Sequence, residues 1–229
     1  MITVQTGQSI QEAVDQSADG DVISLAEGVW YENVKIDKSL TLRGAGQKET
    51  VIKGKGADLS VVRIVTPEPK AVSAKVEGLS IREGDWGIWV FSSAQVEITD
   101  TNISENGIGI LVEDSAQAKI TGSTISKNEE AGIELHGSAE VIIGENKIIG
   151  NGYGIALENF HGRVLGYGNI IPGPEPEPFH LKILKLLPFV TVELECNRNG
   201  AFPEGLEFLM TDRGGSKRWI VRPFLNRRE

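Results

Sequence analysis

Apolar and polar residues alternate in short bursts along most of the chain, and the bursts recur. Ile81, Ile103, Ile125, Ile148 and Ile170 fall at spacings of 22, 22, 23 and 22. Gly-Ile pairs at Gly87-Ile88, Gly109-Ile110, Gly132-Ile133 and Gly154-Ile155 recur at 22, 23 and 22, and a third column runs Val96, Ala118, Val141, Val164. Two-residue alternation is the mark of a strand, and the Gly, Asn, Asp and Ser breaks between bursts are too short for helices. Each repeat of roughly 22 residues therefore holds three short strands and three turns. One such unit cannot bury an apolar face, but stacked units bury it continuously. The pattern predicts an all-β chain wound as a parallel β-helix, a single-stranded solenoid.

Val90, Val112, Leu135 and Leu157 lie two residues after the Gly-Ile isoleucines and so point to the same interior side. Asn106, Asn128 and Asn151 share one turn column, with Gly84 in that place one repeat earlier. Asn tolerates turn geometry and bonds its own backbone, so this column is expected as an internal structural stack. The Gly before each Ile is expected to permit a tight bend. Upstream the register loosens, but 22–25, 34–36, 40–42, 51–52 and 61–64 still read as strands. Residues 22–171 would make about seven coils, a rod on the order of 34 Å tall. The stretch Pro67-Glu68-Pro69 is expected to bulge out as a loop.

An open β-helix end invites edge pairing unless it is covered. Ser9-Ile10-Gln11-Glu12 fits a capping box, and Ile10, Ala13 and Val14 share a helical face, predicting a cap helix over residues 9–17. At the other end, Pro172 to Pro178 is a Pro/Glu-rich run that neither pairs inside a sheet nor continues a helix. It separates a β-helix of residues 1–171 from a segment at 179–229. There, 189–195, 206–211 and 218–224 read as strands, the last two flanking a hairpin turn at 212–216. This segment reads as a cap or small β appendage, or else as a module for partners or self-association.

Charge sharpens that division. The 229 residues carry a net charge of −9, yet residues 179–229 hold nine Lys/Arg against six Asp/Glu, which leaves −12 for the rest. An acidic body argues against nucleic acid. No apolar run approaches the roughly 20 residues of a membrane span, and the chain does not open with a basic patch and apolar stretch of the secretory kind. Cys196, the single cysteine, excludes an internal disulfide framework.

The stretches Ser9 to Ala13, Gly20-Asp21-Val22-Ile23, Gly28, Tyr31-Glu32-Asn33-Val34, Leu40 to Gly44 and Thr50-Val51-Ile52 resemble the opening of pectin-lyase-like right-handed parallel β-helix proteins. The later repeats look most similar to the NosD-like group, also called carbohydrate-binding and sugar-hydrolysis repeats. The resemblance covers residues 1–171 and implies a right-handed coil, a polysaccharide ligand and an extracellular or cell-surface setting. It does not extend to catalytic signatures: the paired aspartates with Gly-His-Gly and Arg-Ile-Lys of polygalacturonases are missing, as is any Asp-His dipeptide. If the chain is an enzyme, the resemblance implies a polysaccharide hydrolase, lyase or epimerase.

Function must then reside in outward side chains. After each Gly-Ile, two outward columns remain: Trp89, Leu111, Glu134, Ala156, and Phe91, Glu113, His136, Glu158. At about 4.8 Å between coils, Glu113, His136 and Glu158 should form a touching row, with Glu134 on the same face and Trp86 in the turn beside Trp89. Trp86, Trp89 and Phe91 are the candidate carbohydrate-binding residues. Glu134, His136, Glu113 and Glu158 are the catalytic candidates, because a His among carboxylates has the ingredients of a general acid/base and paired carboxylates can cleave a glycoside. The same oxygens can hold Ca²⁺, with His136 an awkward neighbour. With three His and no ligand-spaced Cys/His cluster, no transition-metal site is expected. The competing reading is a solvated Glu–His–Glu row and aromatics covered by a loop, on a solenoid that makes its contacts through residues 179–229.

Overall fold

A computed structural model describes residues 1–56, 59–67 and 70–171, and beyond them the strands Leu181–Ile183, Thr191–Glu195, Leu206–Arg213 and Ser216–Pro223. One coil shows the plan: Trp86–Phe91, Gln95–Thr99 and Asn102–Ser104, each joined by a short turn. Corresponding strands of successive coils pair in parallel, and among the described residues they form three sheets, here A, B and C, of eleven, six and seven strands, the eleven including a terminal antiparallel hairpin. In this coil Trp86–Phe91 belongs to sheet C, Gln95–Thr99 to sheet A and Asn102–Ser104 to sheet B. The chain is a parallel β-helix, as the repeat predicts.

The inward columns stack as the alternation requires. Ile88 pairs with Ile110, Ile110 with Ile133 and Ile133 with Ile155, while Val90, Val112, Leu135 and Leu157 follow in the next column. All eight are no more than 1% exposed, so each coil contributes aliphatic area that only its neighbours cover. Ile10–Gln16 forms the helix, and Ile10, Ala13 and Val14 seat against the core. Its first turn departs from a plain capping box: Ser9 Oγ accepts from Glu12 N, while Glu32, from the next coil, accepts from Ser9 Oγ and the amides of Ile10 and Gln11.

Turns hold the register. Asn106, Asn128 and Asn151 form the expected ladder: Asn128 Oδ1 accepts from the amide and side chain of Asn106, and Asn151 Oδ1 does the same for Asn128. The Gly84 amide ends the ladder by donating to Asn106 Oδ1. A second ladder, not foreseen, runs Thr101, Ser123, Asn146, Asn169 between sheets A and B. It corrects one register: Asn146 and Asn169 are 23 apart, so Ile170 pairs with Lys147 and is 59% exposed, while Ile171 packs on the core.

The glycines also play a different part from the one expected. The left-handed residue before the sheet C strands Trp86–Phe91, Ile108–Val112 and Ala131–Gly137 is Glu83, Glu105 and Lys127, at φ of 63°, 60° and 56°, and before Tyr153–Phe160 it is Gly150 at 63°. Gly87 and Gly109 instead allow close approach, since a Cβ there would lie 2.6 and 2.5 Å from the carbonyl oxygen of the glycine one coil on.

At the far end the chain continues into the sheets. Leu181–Ile183 pairs in parallel with Tyr153–Phe160, and Thr191–Glu195 with Arg163–Tyr167. Ser216–Pro223 then turns antiparallel to Thr191–Glu195 and pairs with Leu206–Arg213 as an antiparallel hairpin. The expected linker at 172–178, and Glu68 and Pro69 of the expected loop, lie outside the described residues.

Candidate functional site

The candidate residues lie on the outer face of sheet C, at four successive levels of the stack. Trp89, Leu111, Glu134 and Ala156 are register partners in that order, and His136 pairs with Glu158. Leu111 and Ala156 are 5% and 3% exposed, yet both stand outside the interior core cluster. The column of Trp89, Leu111, Glu134 and Ala156 is therefore half closed over, with small or aliphatic residues filling the gaps between larger ones.

The aromatic end is one packed unit rather than three separate platforms. Trp89 lies 5.3 Å from Trp86 and is stacked on Phe91 at 4.7 Å between centroids. Arg63, the register partner of Trp89 in the preceding coil, lays its guanidinium over Trp89 at 4.9 Å and over Phe91 at 4.7 Å. Sequence reasoning missed Arg63. Its signal was present in the alternation Val62-Arg63-Ile64, which sets Arg63 outward, but the loose upstream repeat hid the column. Such cation–π contacts fix the plane of the guanidinium against the rings.

The charged end meets the aromatic end at Glu113. Trp89 Nε1 donates to Glu113 Oε1 at 3.0 Å, and Glu113 Oε2 stands 4.0 Å from His136 Nδ1. On its other side, His136 Nε2 is 2.7 Å from Glu134 Oε1 and 3.8 Å from Glu158 Oε2. The row Glu113–His136–Glu158 forms as the repeat predicts, and Glu134 proves the most intimate partner because residues two apart on a strand share a face. The hydrogen bond to Glu134 holds the His136 imidazole above its ordinary pKa, and the charges of Glu158 and Glu113 add to this while partial burial opposes it. Glu134, His136 and Glu158 are also a group whose donor atoms lie within 4.8 Å of one another. His180 and Cys196 lie outside the described residues.

A concavity runs over the outer face of sheet A, lined by residues that include Gln95, Gln117, Lys75, Glu97 and Lys119. No helix among the described residues is long and apolar enough to cross a membrane.

These features define a parallel β-helix with an aromatic and carboxylate–imidazole row on one outer sheet. Residues 66–174 match the family model described as the right handed beta helix region. A cell surface glycoprotein of Methanothermus fervidus is 32% identical over 100 residues, 43% of this chain and 16% of that protein. The chain thus spans about a sixth of the length of that relative. The crystal structure of an alginate lyase from Paenibacillus sp. str. FPU-7 superposes with a TM-score of 0.52 at 19% identity, covering 81% of this chain and 74% of the lyase. At that identity the likeness is one of fold.

Proposed function

We propose that this β-helix binds polysaccharide along the outer face of sheet C. The observation that carries the reading is the junction at Glu113, where the row of Trp86, Trp89 and Phe91 runs into Glu134, His136 and Glu158 without a break. Aromatic surface suits the apolar side of a sugar ring, and carboxylates accept from its hydroxyls. Because the rings pack on one another, sugar would meet the edge of the row as a unit. The surface glycoprotein relative and the alginate lyase neighbour favour a carbohydrate-related role at a cell surface. Modification is a further step: His136, held by Glu134, would serve as the acid/base group of a hydrolase, lyase or epimerase. Ca²⁺ would assist where the polymer is acidic, since a body of net −12 repels polyanions.

The test is a panel of neutral and acidic polysaccharides, with and without Ca²⁺, read for affinity and for product size by chromatography. Glu134→Gln should weaken binding about tenfold, or ~1.4 kcal/mol, with the β-sheet circular dichroism spectrum unchanged. Affinity that survives this change and Trp89→Ala would place the ligand elsewhere. A second reading, a non-catalytic surface solenoid, draws on the glycoprotein relative and the hairpin at the end of sheet A. Under it, removing residues 179–229 changes oligomeric state or partner binding, and an unchanged monomer would count against it.

A further inference from the structure

We propose that Glu134, His136 and Glu158 form a binding site for a divalent transition-metal ion of the zinc class, with Glu113 as the outer carboxylate behind the imidazole. The geometry points one way. His136 Nε2 faces Glu134 Oε1 and Glu158 Oε2, and the three ligand atoms lie within 4.8 Å of one another, so small side-chain rotations bring all three to one ion. The opposite ring nitrogen, Nδ1, faces Glu113 Oε2, whose partner oxygen is pinned by Trp89 Nε1. An ion at Nε2 would displace the proton now shared with Glu134 Oε1 and leave the ring N–H on Nδ1 turned toward Glu113, 4.0 Å away, the side from which outer carboxylates orient metal-binding histidines. Charge supports the same occupant. Among the described residues no Lys or Arg pairs with Glu113, Glu134 or Glu158, whereas Glu77, Glu83, Glu97 and Glu105 are each met by at least one. An imidazole nitrogen among the donors selects a zinc-class ion over Ca²⁺, which takes oxygen. Half-exposed Glu158 leaves one side of the site open to water or to a ligand oxygen.

The ion site shares Glu134, His136 and Glu158 with the proposed glycan face, and it is tested without glycan so that the two readings fail separately. EDTA-treated full-length protein is titrated calorimetrically with ZnCl₂ and, separately, CaCl₂, and Co²⁺ is followed by its visible absorption. One Zn²⁺ should bind per chain, with Ca²⁺ far weaker. His136→Ala should abolish the saturable uptake, and Glu113→Gln should weaken it about tenfold. Glu158→Gln, at a more exposed position, should also weaken it and guards against a misfolded His136 variant. Absence of saturable zinc uptake, a preference for Ca²⁺, or uptake unchanged in His136→Ala and Glu158→Gln would each overturn the proposal.

Discussion

On sheet A, Lys75, Glu97 and Lys119 stand in successive coils, so that Glu97 is shared between cations at 4.0 and 3.2 Å. On sheet C, the comparable column of Glu113, His136 and Glu158 sets two carboxylates about a single imidazole, and Glu134 adds a third. Both faces ride on the same stack with the same residue-to-residue register. One face satisfies the rule that opposite charges sit across neighbouring strands; the other breaks it and flanks the breach with a packed aromatic row. A face whose charges cancel is complete in itself, whereas one with convergent carboxylates is stabilised by a proton, a cation or a hydroxyl-bearing ligand. That difference is the physical basis for proposing sheet C as the face that meets a ligand.

The largest expected effect falls on what the two faces share. Asn128 is 1% exposed, donates to Ile103 O and Asn151 Oδ1, and accepts from Asn106. Asn128→Ala should cost about 3 kcal/mol in urea unfolding and disturb both faces together, because it strands buried amides. If only sheet C chemistry changed, the common-scaffold view would be wrong. Trp89→Ala should cost about 2 kcal/mol and at least tenfold in glycan affinity, since the indole supports Trp86, Phe91, Arg63 and Glu113 at once.

A pH series separates the faces more finely. The folded state holds the His136 proton more tightly than the ordinary value of 6.5, so its stabilisation is complete below that value and is lost as pH rises through the raised one. The melting temperature of the wild type should therefore fall relative to His136→Ala as pH rises above 6.5 and through the raised value, while Lys119→Ala should track the wild type across the range. The smallest effect is on sheet A. Lys119→Ala should change stability by less than about 0.5 kcal/mol and leave glycan affinity intact, because the pair with Glu97 is largely solvated.

Much of this was legible from local pattern. The aliphatic columns, the Asn106–Asn128–Asn151 ladder and the Glu113–His136–Glu158 row all follow from a constant repeat, because a fixed coil length stacks equivalent positions. Other features were not. The second ladder mixes Thr101, Ser123, Asn146 and Asn169, so the shared hydrogen-bond role is invisible to identity. That same ladder shifts the column from Ile170 to Ile171.

What residue order alone decides here is the coil: its length, its inward residues and the levels at which charged and aromatic side chains stand. The tertiary structure decides what those levels mean. Arg63 reaches Trp89 and Phe91 only across a gap of more than twenty residues, and Glu134 becomes the closest partner of His136 only when rotamers are set by the packed row. Periodicity fixes which positions are neighbours, but the direction of a long polar side chain is set by everything that crowds it, and that is a property of the assembled face.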